Sequence, residues 1–236
     1  MKKILLLHGW NYRNYSGLTD SKDAWNNRGE FVSFLSKYFD IYKINFPGFC
    51  GETEPKKGWD LEDYAKYVKD YLDKNNLKPD YILGYSFGGA VGIMYNRLYD
   101  NAQKLILVSP AICRNFSKSK KFIKSPFIFN PIRSFIRDFY LIHFVKNKYM
   151  IYGTKFLRSS YQKIVRRNLL SEVIGINPSK LLIIYGGKDK MVKPDFVIDN
   201  LPISFCEKVH IIKDGGHNIG KTHYKEVISI IKKNVI

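Results

Sequence analysis

Cysteine is scarce here, with three residues in 236: Cys50, Cys113 and Cys206. Odd in number and far apart, they suit neither a disulfide framework nor the paired spacings of a zinc site, so a reducing cytoplasm is the expected compartment. Long hydrophobic runs are also missing. Met1-Lys2-Lys3 followed by Ile4 to Leu7 has the charge of a secretory leader, but the apolar run ends after four residues at His8-Gly9. That is short of a signal core or a membrane span. Acidic residues are the third shortage, 21 Asp and Glu against 39 Lys and Arg, for a formal charge of +18. Such an excess raises nucleic acid or an anionic membrane as a partner. No zinc-finger spacing, aromatic RNA-binding strand or basic heptad region accompanies it, and Lys, Asn, Ile, Tyr and Phe are abundant everywhere. The charge reads first as composition, and no nucleic acid is expected. A phosphate-binding glycine loop, a dinucleotide fingerprint and a metal-ligand cluster are absent from the sequence too, so no cofactor and no metal are expected.

What is present suffices for one substantial core, since 45% of the residues are apolar. One domain with an insertion fits this length better than two domains. Short apolar runs alternate with segments of helical spacing. Ile4 to Leu7, Ile41 to Asn45, Tyr81 to Leu83, Lys104 to Val108, Lys180 to Tyr185 and Lys208 to Ile212 read as strands buried on both faces. Between them, helices are expected over Asn26 to Tyr38, after a capping Asp60, over Phe87 to Tyr99, near Asp195 to Asn200, and over Tyr224 to Lys233. Six strands joined by helices imply a parallel sheet with helices on both faces, a three-layer α/β/α sandwich. The rhythm lapses from Cys113 to about Asn177. That stretch holds Phe116, Phe122, Phe127, Phe129, Phe135, Phe139, Tyr140, Phe144 and Phe156, together with Arg114, Lys118, Lys120, Lys121, Lys124, Arg133, Arg137, Lys163, Arg166 and Arg167. Asp138 and Glu172 are its few acids.

The densest signal is Gly84-Tyr85-Ser86-Phe87-Gly88, which closes the third strand and opens a helix. Gly-x-Ser-x-Gly in that setting is a nucleophile elbow: the sharp turn lifts the hydroxyl clear, and the flanking glycines make room for the neighbouring strand and helix. The helix N-terminus aims unpaired N–H groups and the positive end of its dipole at the serine. Ligands of parallel sheets bind beyond the carboxyl ends of the strands. His8, Gly9 and Trp10 follow the first strand, Ser86 the third, Asp189 the fifth and His217 the sixth, so all are expected at one rim.

Taken together, these segments resemble the α/β-hydrolase fold family over nearly the whole chain. The resemblance rests on the elbow, the His8-Gly9 pair, Phe46-Pro47-Gly48-Phe49, Tyr185-Gly186-Gly187-Lys188-Asp189 and Gly215-Gly216-His217, in the family's order. It implies a trimmed, wholly parallel six-stranded sheet, because Met1 opens directly on the strand that ends in His-Gly. It also implies a core of residues 1–112 and 178–236 with a helical cap inserted at 113–177. Asn45 stands where many relatives have Asp, a change expected to affect loop anchoring. By the same resemblance Ser86 is the nucleophile, His217 the base and Asp189 the acid that orients it, with Asp195 and Asp214 as competitors for that last role. The backbone N–H groups of Trp10 and Phe87 would form an oxyanion hole, supported by His8, Gly9, Gly84 and Gly88. For Trp10 the amide, more than the side chain, is expected to matter. His143, His210 and His223 read as structural or solvated.

The activity so implied is hydrolysis of a carboxylic ester or thioester of a small or medium apolar acyl group, a small-molecule substrate. The same fold also hosts C–C bond hydrolases, lyases and cofactor-free oxygenases that use the triad as a base. The basic cap could attract an anionic substrate or an anionic membrane surface.

Overall fold

A computed structural model describes residues 1–99, 103–113, 140–143, 145–192 and 194–235. Among these, one sheet of six strands runs through the molecule: β1 (Lys2–Leu7), β2 (Phe39–Ile44), β3 (Tyr81–Tyr85), β4 (Lys104–Val108), β5 (Leu181–Gly186) and β6 (Val209–Ile212). Their order is β2-β1-β3-β4-β5-β6, and every pair is parallel. The wholly parallel sheet expected from the sequence is therefore present. β3 and β5 are buried along their full length, as strands covered on both faces must be.

Side-chain alternation sends successive residues of each strand to opposite faces, and two apolar layers result. On one face Leu5, Leu7, Ile82, Leu105, Leu107 and Ile183 pack under α2 (Leu61–Lys74) and α3 (Phe87–Tyr99), through Tyr64, Val68, Ile93 and Met94. On the other, Ile4, Leu6, Leu83, Ile106, Val108 and Ile184 meet α1 (Gly29–Leu35) and the C-terminal helix Tyr224–Val235, through Phe31, Leu35, Val227 and Ile231. The helix expected over Asn26 to Tyr38 is shorter. Asn26–Arg28 forms a 3-10 turn, and the non-helical φ of −132° at Arg28 separates it from α1. By contrast, Asp60 caps α2 as expected, in a reciprocal capping box with Asp63.

Between β4 and β5 the described residues carry no strand. They form α4 (Lys148–Tyr152), α5 (Lys155–Ile164) and α6 (Leu170–Ile174). After β5 come α7 (Pro194–Ile198), then β6, α8 (Ile219–Thr222) and α9 (Tyr224–Val235). Most of the basic and aromatic residues of this insertion, Arg114 to Phe139 and Phe144, lie outside the described residues.

Strand order reverses at β1, since the chain adds β2 on one side of it and β3 on the other. The crevice opened by such a reversal, at the carboxyl ends of the strands, is where this class of sheet holds ligands. Leu7 of β1 is in register with Gly84 of β3, so the loops leaving both strands emerge side by side.

Candidate active site

The turn after β3 places Ser86 at a φ of +51°, a left-handed conformation that costs energy for any residue with a Cβ. Hydrogen bonds hold it there. The Ser86 N–H donates to the Val108 carbonyl (2.9 Å), and its own carbonyl accepts from Gly89, Ala90 and Ala111. Gly84 and Gly88 are glycines for a steric reason. A Cβ on Gly84 would press into the first turn of α3 at Gly88 and Gly89, and one on Gly88 would overlap the Leu7 carbonyl of β1. Strand, helix and elbow can therefore approach closely only with these two side chains missing.

Facing Ser86 is His217, on the loop after β6. Its Nε2 lies 3.0 Å from Ser86 Oγ, and its Nδ1 lies 2.7 Å from Asp189 Oδ2. An Nδ1–H donated to the carboxylate leaves Nε2 as the acceptor for the serine hydroxyl, so the two contacts require one tautomer. The other oxygen of Asp189 accepts from the N–H groups of Met191 (2.8 Å) and Val192 (3.0 Å). Burial pushes the Asp189 carboxyl up, but the hydrogen bond and charge of His217, with those two amides, outweigh it and hold the carboxyl below its usual range. Asp214 is exposed and paired with Lys188, and Asp195 opens α7. Neither approaches the imidazole as Asp189 does.

The loop after β1 lies against the elbow, so that a Cβ on Gly9 would sit 3.5 Å from Ser86 Cβ. Phe87 is the first residue of α3, a position whose N–H has no partner within the helix. Trp10 and Phe87 line the same cavity as Ser86 and His217. The Trp10 side chain is closely engaged. Its indole N–H donates to Tyr15 Oη (2.7 Å), and its rings meet Phe49, Tyr64, Phe87 and Tyr161 edge-on or tilted.

His8 is a brace. Buried between Phe46 and Phe49, it accepts the Phe46 N–H at Nε2 (3.0 Å), while Nδ1 contacts the Gly9 carbonyl (2.9 Å). Burial lowers its pKa to about 4, so the ring is neutral at physiological pH. Asn45 does anchor a loop, accepting from Ala24 N–H and donating to the Lys22 carbonyl. None of His143, His210 and His223 borders the cavity.

That cavity has a volume of about 410 Å³. Trp10, Phe87, Ala111, Ile164, Val165 and Met191 give it apolar walls, and Tyr149 and Tyr161 reach it from α4 and α5. Cys113 borders it too, but burial pushes that thiol up and away from the reactive thiolate. Two contributors had no clear mark in the sequence. Tyr85, the variable second residue of the elbow motif, donates its hydroxyl to the His217 carbonyl (2.5 Å). Arg28, at the end of the 3-10 turn before α1 and far from every motif, lies over the Tyr85 ring. Among the described residues there is no cluster of side chains able to hold a metal ion, and no helix is long and apolar enough to cross a membrane.

Known proteins of similar sequence and shape agree with this architecture. A Mycoplasma pneumoniae protein whose name places it among esterases or lipases is 30% identical over 93 residues, which is 39% of this chain and 35% of that protein. The chain thus matches about a third of the length of the curated relatives it resembles. Two solved structures superpose over nearly the whole chain. An esterase from Exiguobacterium antarcticum (TM-score 0.65, 16% identity) covers 99% of this chain and 92% of its own. A bromoperoxidase from Bacillus anthracis (TM-score 0.65, 18% identity) covers 99% and 91%. At these identities the superpositions speak for the fold alone. The profile of the alpha/beta hydrolase fold matches residues 3–127, more than half of the sequence and including the elbow. With that match, the parallel sheet and the strained serine turn between β3 and α3, the chain belongs to the alpha/beta hydrolase fold family.

Proposed function

We propose that the protein is a serine hydrolase that cleaves a carboxylic ester or thioester through an acyl-enzyme. The observation that carries this reading is the pair of contacts joining Ser86 to His217 and His217 to Asp189 at the wall of one cavity. As Ser86 Oγ attacks the acyl carbon, its proton passes to His217 Nε2, and the imidazolium then protonates the leaving alcohol or thiol. Water, deprotonated by the same nitrogen, cleaves the acyl-enzyme and restores the serine. Asp189 holds the required tautomer and stabilises the imidazolium. The N–H groups of Trp10 and Phe87 are assigned to the developing oxyanion, each such donor being worth roughly 3 to 4 kcal/mol. Residues 113–177 are assigned to a cap over a core of 1–112 and 178–236. In support, the insertion supplies Tyr149, Tyr161, Ile164 and Val165 to the cavity wall and is tied to the core where Trp59 N–H donates to Ser160 Oγ.

A fluorophosphonate probe tests the nucleophile. One label per wild-type chain is expected and none on Ser86→Ala, with hydrolysis of nitrophenyl esters falling by more than about a thousandfold. Labelling that survives the substitution removes Ser86 from the role. Activity without any acyl-enzyme would favour the lyase or oxygenase chemistries of the fold.

A further inference from the structure

The cavity is electrically one-sided. Arg13, Arg28, Arg167 and Lys221 border it, and no Asp or Glu does among the described residues. Arg167 is neutralised by Glu62, which it grips through both Nη atoms (2.7 and 3.2 Å). The other three cations have no carboxylate partner among the described residues.

Arg28 is the best placed of them. Its Nη1 donates to Asn27 Oδ1 (2.8 Å) and its Nη2 to Asn218 Oδ1 (3.1 Å), both neutral amides, and its buried Nε has no acceptor. The guanidinium carbon lies 4.1 Å from the centre of the Tyr85 ring, and the imidazole of His217 lies 6.1 Å from the same ring, centre to centre. The Tyr85 ring therefore neighbours both a half-buried guanidinium that has no carboxylate partner among the described residues and the base of the proposed triad. Asn218, which holds that charge, is the residue after His217.

A guanidinium held in place and left without a counter-ion is a receptor for a planar or tetrahedral oxyanion. We infer that the substrate is an ester with an apolar stem and an anionic end, a carboxylate or a phosphate monoester, seated on Arg28 with Lys221 and Arg13 at the rim. This rests on the hydrolase reading above and narrows it to a substrate class.

The test compares mono-p-nitrophenyl glutarate with p-nitrophenyl pentanoate, which have the same acyl length and differ by one terminal charge. The wild type is expected to favour the glutarate about tenfold in kcat/KM, as a charge-assisted contact of ordinary strength gives. Arg28→Gln should bring that ratio near one, and the exposed Lys221→Gln should lower it by about half. Lys66→Gln, on the outer face of α2, should leave it unchanged. Competitive inhibition of pentanoate hydrolysis by glutarate and by glycerol 3-phosphate tells which anion the site prefers. A wild-type ratio at or below one overturns the inference. So does a ratio above one that neither Arg28→Gln nor Lys221→Gln alters while both variants stay folded by circular dichroism. Should Arg28→Gln fail to fold, Lys221→Gln and the two inhibitors decide. If neither ester turns over and no fluorophosphonate label forms, the hydrolase reading has failed. The anion site is then judged separately: glutarate or glycerol 3-phosphate should raise the melting temperature of wild type, and raise it less in Lys221→Gln; no rise in wild type, or an equal rise in both, overturns it.

Discussion

His8 shows how one buried residue couples the site to pH. Its neutral ring is required by the contact with the Phe46 N–H, because a protonated Nε2 could no longer accept. Its folded-state pKa is about 4, against an ordinary value of 6.5. Between those values the unfolded chain binds a proton that the folded chain refuses. The stabilisation is complete above pH 6.5 and is lost as pH falls towards 4, by roughly 3 kcal/mol at the lower end. Urea unfolding at pH 7 and pH 4.5 measures this loss. His8→Gln, whose amide oxygen can take the Phe46 N–H, is expected to remove most of the difference, and an unchanged slope would deny the ring its place in the acid sensitivity. A histidine just after the first strand was legible in the sequence as a residue supporting the loop. Its partner in β2's exit loop was not, because that contact depends on β1 and β2 lying side by side.

At the scale of elements, the site is made by the approach of α3 to the end of β1. Gly88 is where the two meet, and an added methyl there would overlap the backbone carbonyls of Leu7 and His8. Backbone cannot yield as a side chain would, so Gly88→Ala is expected to cost on the order of 3 kcal/mol and to disturb the Ser86 turn. Thermal unfolding and fluorophosphonate labelling should fall together. A variant of wild-type stability would mean that α3 can shift without loss. Local pattern announced this element well. The bounds of α3 and β4 and the Asp60 cap of α2 match what the residues predict, since apolar spacing and capping act over a few neighbours. The first helix was misjudged for the converse reason. Phe31, Phe34, Leu35 and Tyr38 recur at helical spacing, yet the chain at Arg28 takes a non-helical conformation that lets its guanidinium reach Tyr85 and Asn218, both distant in sequence.

For the whole molecule, a charge of +18 on 236 residues creates a field that reaches beyond any one contact. Raising ionic strength from about 10 mM to 150 mM shortens the screening length from roughly 30 Å to 8 Å. Turnover of the anionic ester should then slow several-fold while the neutral ester changes little, and any binding to anionic vesicles in a sedimentation assay should fall. If ester turnover and vesicle binding are both flat with salt, the excess of lysine is compositional and steers nothing. The sequence by itself determined the alternation of strands and helices and the Gly-x-Ser-x-Gly elbow, because each is written in residues only a few positions apart. Only the tertiary structure decided that Asp189 rather than Asp195 or Asp214 meets the imidazole, that the Trp10 indole is packed into the cavity wall, and that Arg28 and His217 both neighbour the Tyr85 ring. Those facts depend on which loops the parallel sheet brings to one edge, a matter of strand order and register between segments up to some two hundred residues apart.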